Sequence, residues 1–322
     1  MGQDLRIGMP EAWDMVNKIC VDTTESGETH VDEKNLIPLV RYGYLEETYY
    51  SYKFVPVVGD AGYVLGHYTT VFDLTREVVS DRRTLMAQNT SLNISTCKSM
   101  QEFWPNLLAG LDPCEKDFPL VALYAASQYA SDPLPPQSEQ TIILEGCLGI
   151  SKSRVPSQLL FSRDDLPVTT NIEKVLAILF QKSLTSGKPL LVTRDMLPDT
   201  FLEGITWRGF GTPSEEFLII PLQTNKGIVI GFMFTGLNPM KRFHQFSDYE
   251  DHVNSITRQI IVPRASSILL AEDVKQGEEN LVLRSKELER SETKYRNFAE
   301  HAPLGVALIN SDRCMEFANE AW

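Results

Sequence analysis

Five histidines and five cysteines are the side chains of this 322-residue chain best suited to hold a metal or act as a nucleophile. Their spacing argues against both roles. Cys20, Cys97, Cys114, Cys147 and Cys314 are odd in number, and no two stand at a CxxC spacing, so they read as reduced thiols. His30, His67, His244, His252 and His301 are scattered as well. The closest pair, His244 and His252, stands eight apart at the start of an expected helix and reads as two solvated histidines. No glycine-rich phosphate loop, GxSxG or HExxH occurs. The sequence thus predicts no catalytic residue, no metal and no particular cofactor, and the chain as given is expected not to be an enzyme.

Composition sets further bounds. Hydrophobic residues make up 43% and charged residues 23%, the balance of a globular protein with two or three domains. The formal charge is −13 with no basic cluster, which argues against nucleic acid and anionic membrane surfaces as partners. No apolar run approaches the roughly 18 residues of a membrane span, and the first residues lack the apolar stretch of a secretory signal. A cytoplasmic location is therefore expected.

The elements follow from periodicity. Residues 10–20 read as a short helix with Pro10 near its start. Strands are expected at about Lys34–Arg41, in ETYYSYKFVPVV and in GYVLGHYTTVFDL, the last two joined by a GDAG turn at 59–62. A polar helix follows, in which Val78, Leu85 and Leu92 repeat every seven residues. Beyond it, CKSMQEFWPNLLAGL reads as a helix, and FPLVALYAAS and QTIILEGCLGI read as strands around the proline-rich loop SDPLPPQSE. NIEKVLAILFQKSLTS is a helix with Asn171 as N-cap and Gly187 as C-cap. KPLLVT, EFLIIPLQ and GIVIGFMFTGL are strands, the last two joined at Thr224–Gly227. Ser247 and Glu250 form a capping box for a helix that is expected to continue past Pro263. In the charged helix beyond residue 266, Val274, Leu281, Leu288 and Tyr295 recur every seven residues. Glu278, Ser285 and Glu292 occupy the matching second seam, so a marginal helix pair is expected, with a solvated single helix as the competing reading.

Three stretches carry a resemblance. Residues 8–75, with Glu46-Glu47-Thr48-Tyr49 before a glycine-containing hairpin and a terminal Asp73-Leu74-Thr75, resemble the C-terminal half of a PAS domain. Residues 95–265, through FPLVALY, GKPLLVTRD, FLIIPLQTNKGIVIGFMFTGLNP and FSDYEDHV, resemble a GAF domain. KYRNFAEHAP and EFANEAW resemble the start of a second PAS domain. The series is similar to the input region of a classical or hybrid sensor histidine kinase, truncated at both ends. It implies an α+β fold of antiparallel-sheet PAS and GAF domains joined by signalling helices. The implied division is a PAS half over 1–75, a connector helix over 76–94, a GAF domain over 95–265, a coiled-coil-like connector over 266–290 and an incomplete second PAS domain over 291–322.

The resemblance further implies a function. The segment would sense a small ligand or a partner and relay it through dimeric helices, with Val274, Leu281 and Leu288 on the paired face, to a kinase core in the same parent chain and so into a phosphorelay. No phosphoacceptor histidine box and no ATP-binding motif is present. A cavity between sheet and helices could be lined by Tyr124, Cys147, Phe201, Trp207 and Phe217, for each of which core packing is the plainer alternative. A bilin would need an Asp-Ile-Pro motif where the chain has only Ser131-Asp132-Pro133. A cyclic nucleotide would need an Asn-Lys pair at Asn238, which proline follows, and an acidic pair after Phe246, which here is the reversed Glu250-Asp251. Two further functions stay open: a dimerisation scaffold without a ligand, and the sensor part of a cyclase, phosphodiesterase or transcription regulator.

Overall fold

The computed structural model describes residues 4–130, 141–160, 171–243 and 247–322. The SDPLPPQSE loop, His244, Phe246 and the side chain of Ser247 lie outside the described residues. The chain forms two compact units, residues 1–266 and 267–322.

In the first unit, a one-turn helix α1 (Leu5–Gly8) precedes α2 (Trp13–Ser26). Gly27 ends α2 in the left-handed conformation, φ 69°, which glycine adopts without a steric penalty. The expected helix over 10–20 is therefore displaced toward the C-terminus. The expected strand Lys34–Arg41 is two strands, β1 (His30–Leu36) and β2 (Leu39–Arg41). Pro38 between them has no N–H to donate to a ladder. β2 pairs with β3 (Tyr44–Glu46) through the two-residue turn Tyr42–Gly43, in which both φ values are positive. β4 (Tyr49–Val58) and β5 (Val64–Asp73) join β1 in a three-stranded antiparallel sheet, order β1-β4-β5. Ile19 of α2 packs on Tyr50, Tyr52 and Phe54 of that sheet.

α3 (Thr75–Ser95) continues directly from β5. Its Leu85 and Leu92 are exposed, and it is Val79, Arg83, Met86, Thr90 and Ile94 that are buried. The heptad stripe of the sequence is thus the solvent face, and the packed face runs one residue beside it.

α4 (Met100–Leu111) leads into a six-stranded sheet built from β6 (Leu120–Ala126), β7 (Thr141–Leu148), β8 (Gln158–Leu160), β9 (Leu190–Thr193), β10 (Glu216–Gln223) and β11 (Val229–Gly236). All five neighbouring pairs are antiparallel, in the order β8-β7-β6-β11-β10-β9. β6 reads LVALYAA without alternation because both faces of the sheet are covered. One face packs Leu120, Tyr124, Phe217, Phe232 and Phe234 under Leu176, Leu179 and Phe180 of α5 (Ile172–Ser186) and Phe201 of the one-turn helix α6 (Asp199–Leu202). Asn171 and Gly187 cap α5 as their types require. The other face lies under α4. A Cβ built on Gly231 would stand 2.2 Å from the Tyr124 carbonyl oxygen and 2.8 Å from the Trp104 ring, so only glycine lets that indole lie on the sheet. Gly231→Ala is expected to cost about 1–3 kcal/mol through overpacking, read as a lower denaturation midpoint with an unchanged slope.

α7 (Ser247–Asn254) passes through a π-helical turn, Ser255–Ile261, into α8 (Val262–Glu300). The turn donates Val262 N–H to Thr257 O and accommodates Pro263, which has no donor and crowds the preceding turn.

The second unit contains the remainder of α8 and a hairpin, β12 (Ala307–Ile309) with β13 (Met315–Ala318). Asn310 Oδ1 accepts from Asp312 N and Cys314 N and fixes the turn. Asn319 accepts from Val306 N and donates to the carbonyls of Ala299 and Leu304, which ties the hairpin to the end of its helix.

Candidate functional site

The five residues singled out as a lining fall in one cluster on the α5 face of the large sheet. Tyr124, Phe201 and Phe217 are buried, while Cys147 and Trp207 are half-buried against them. The Tyr124 hydroxyl donates to Pro156 O at 3.0 Å, and its ring meets Phe180 edge-on at 5.3 Å. Phe217 stacks on Phe234 at 5.7 Å, and Trp207 lies 6.3 Å from Phe217. The Cys147 thiol donates to Ile150 O at 3.0 Å, and burial pushes its pKa above the ordinary thiol value. His67 Nε2 lies 2.7 Å from Thr23 Oγ1 on α2. Among the described residues no three His, Cys, Asp or Glu side chains converge as metal ligands would.

The densest polar chemistry lies elsewhere, where α3 meets both sheets. Glu47 and Thr48, between β3 and β4, are wholly buried. A buried carboxylate costs several kcal/mol unless it is paired and hydrogen-bonded, and Glu47 has four donor contacts. Arg82 Nη1 reaches Oε1 at 2.5 Å and Arg82 Nη2 reaches Oε2 at 3.2 Å. The Tyr49 hydroxyl donates to Oε1 at 2.9 Å and Asn238 Nδ2 to Oε2 at 2.8 Å. The Glu47 backbone N–H also reaches Met240 O.

The same guanidinium grips a second carboxylate. Arg82 Nε donates to Asp117 Oδ2 at 2.8 Å and Nη2 to Oδ1 at 3.1 Å, while Arg83 Nε adds a contact at 3.4 Å. Asp117 precedes β6 and is buried; burial alone would raise its pKa, but Arg82 and then Arg83 hold it below the ordinary carboxylate value. Burial works against the charge on Arg82, and Asp117 and Glu47 outweigh it, so its pKa is raised. The buried Tyr249 hydroxyl donates to Asp117 O and accepts from Asn238 N. His252 stacks on Phe118 at 6.2 Å, and its Nε2 is buried with no hydrogen-bond partner. Burial lowers its pKa from 6.5 to about 4; Asp117 opposes that fall, and Arg83 and Arg82 add to it.

One side chain of α3 therefore bridges a carboxylate beside the small sheet and a carboxylate beside the large one. The arrangement holds no nucleophile with a base in reach. It is a joint, and its chemical capacity is to make the position of α3 depend on both sheets. Sequence reasoning named Glu46–Tyr49 only as words of a resemblance and Asn238 only as a poor match to a cyclic-nucleotide motif, and it passed over Arg82 and Asp117. The available signal was two adjacent glutamates just before the tyrosine-rich β4, where uncompensated buried charge is costly.

On the second unit, Val274, Leu281, Leu288 and Tyr295 are 55–71% exposed along α8. No helix among the described residues is long and apolar enough to cross a membrane.

The sequence matches no family model and no curated protein. Among solved structures, the chain is similar to the GAF domain of a phosphoenolpyruvate-protein phosphotransferase from Coxiella burnetii. That alignment has 12% identity over 61% of this chain and 98% of that one, with a TM-score of 0.40. The corresponding GAF domain from Acinetobacter aligns at 11% identity over 60% and 97%, with a TM-score of 0.35. Free methionine-R-sulfoxide reductase from Neisseria meningitidis, in complex with its substrate, aligns at 14% identity over 60% and 93%, with a TM-score of 0.37.

Proposed function

We propose that the chain is a sensory input segment of a two-component histidine kinase, cytoplasmic and non-catalytic in itself. In this reading it is a GAF domain over residues 95–265 between PAS portions, and it works as a homodimer. A small ligand or partner biases the packing of the sensor, and the connecting helices pass the bias to a kinase core as a shift between two arrangements. The single observation that carries the reading is the apolar series Val274, Leu281, Leu288 and Tyr295, exposed along one helix at seven-residue spacing. Such a row has no hydrophobic partner in one chain and gains one in a pair of chains. Its polar second seam keeps the pair weak, as a bistable element requires.

The expected result is a dimer in sedimentation equilibrium at micromolar concentration. Leu281→Glu places two like charges across the seam and is expected to weaken the dimer by about tenfold or more, about 1.4 kcal/mol. A wild-type monomer, or a variant as dimeric as the wild type, would contradict the reading. A scaffold without a ligand is the second reading, and the filled cluster of Tyr124, Phe201 and Phe217, each no more than 3% exposed, favours it.

A further inference from the structure

Beside the joint lies a cleft of about 560 Å³, within the size range of small-ligand sites. It belongs to neither the aromatic cluster nor the α8 seam. The β2–β3 hairpin contributes Arg41 and Glu46, the first turns of α3 contribute Arg76 and Arg83, and Lys241 follows β11.

Two of the residues that line it each carry a buried atom without a partner, and the two atoms have opposite roles. Arg83 is 8% exposed and its Nη2 is a buried donor without an acceptor. The rest of that guanidinium is engaged: Nε faces Asp117, Nη1 donates to Asp248 O at 3.2 Å, and the plane lies 4.7 Å from the Tyr249 ring centre. Glu46 is 5% exposed and its Oε2 is a buried acceptor with no hydrogen bond. Arg41 Nη1 stands 3.8 Å from it, an ion pair too long for a hydrogen bond. Arg41 is further shared with Asp73 at 3.6 Å and donates to the Tyr50 hydroxyl. Leaving a buried polar group without a hydrogen bond is unfavourable, so two in one cleft are a standing cost that a bound molecule can remove.

The sign of the occupant follows from the charge balance. Four cations line the cleft against Glu46, Asp73 and Asp248, and Asp117 draws Arg83 from behind. The wall is close to neutral, so a simple anion would face Glu46 and a simple cation would face Arg83. A molecule carrying both charges meets both orphaned atoms and leaves the balance unchanged. Arg76 makes no ion pair among the described residues.

We propose that this cleft binds a small zwitterion of the α-amino-acid class, with its carboxylate on Arg83 Nη2 at the α3 end and its ammonium on Glu46 Oε2. This goes beyond the pairing of α8, and calorimetry on the full chain reads it whether the chain is a dimer or a monomer. The probes are the standard amino acids titrated singly, with acetate and methylammonium as single-charge controls. At least one amino acid is expected to bind with a dissociation constant on the order of 1 mM or tighter, and both controls more weakly. Glu46→Gln keeps the shape and removes the charge, and is expected to weaken binding about tenfold or more. Arg76→Ala, at an exposed side chain, is expected to weaken it while leaving the melting temperature unchanged. No binding of any amino acid, acetate binding as tightly as the best of them, or binding indifferent to both substitutions would overturn the proposal.

Discussion

Replacing Glu47 by alanine lowers the unfolding free energy by about 3–5 kcal/mol, the cost of removing one member of a buried ion pair. Arg82 is left facing an empty position, and the Asn238 amide and Tyr49 hydroxyl lose their acceptor. Asp117 still holds Arg82 from the other side, so the joint is weakened without being abolished. Arg82→Met removes both ends at once. Because the two residues touch, the double variant is less destabilised than the sum of the singles, with a coupling of about 0.5–3 kcal/mol. Denaturant titration of the four proteins measures it. Additive losses would mean that Glu47 is held by its surroundings and not by Arg82.

Acidification is the second strong lever. His252 is neutral in the folded protein down to about pH 4 and titrates near 6.5 once unfolded. Between those values the unfolded chain takes up a proton that the native chain does not, so stability falls as pH falls from about 6.5 to about 4. The shift corresponds to about 3 kcal/mol across that window. Asp117 acts in the same sense lower down: its depressed pKa contributes stability above about pH 4, which is lost as it protonates below that. His252→Phe keeps the ring against Phe118 and removes the titration, and the buried Nε2 has no hydrogen bond to lose. Stability measured from pH 7 to pH 4 is expected to be flatter in the variant. Parallel curves would place the acid sensitivity elsewhere.

Local signals carried much of the fold. Asn171 and Gly187 bracket α5, the TNKG turn joins β10 and β11, and the unbroken apolar run of β6 announces a strand covered on both faces. The β2–β3 hairpin was not legible, because its turn puts Tyr42 at φ 56°, a conformation its side chain gives no reason to expect. The stripe on α3 misled for a different reason. Leu85 and Leu92 share a face, but that face is exposed, and the packed one includes Arg83 and Thr90, whose polarity conceals their burial. The five residues read as a cavity lining fall in one hydrophobic core cluster, the packing alternative that their types also allowed. The joint was out of reach: Arg82 stands 35 residues from each of its carboxylates, and Asn238 is 191 residues from Glu47. Pairings so distant leave no periodicity in a single sequence. The α8 seam, by contrast, is read from spacing alone, and the exposure of its residues in one chain is what gives that spacing a use.

The most direct measurement is disulfide trapping along that seam in a Cys314→Ser background, which removes the exposed native thiol. In a parallel two-fold pair, residue 281 of one chain faces residue 281 of the other. Leu281→Cys is expected to give a covalent dimer rapidly under mild oxidation, while Glu279→Cys, on the opposite side of α8, remains monomeric on a denaturing gel. Equal trapping at the two positions, or none at residue 281, would contradict the claim that this chain signals through paired helices.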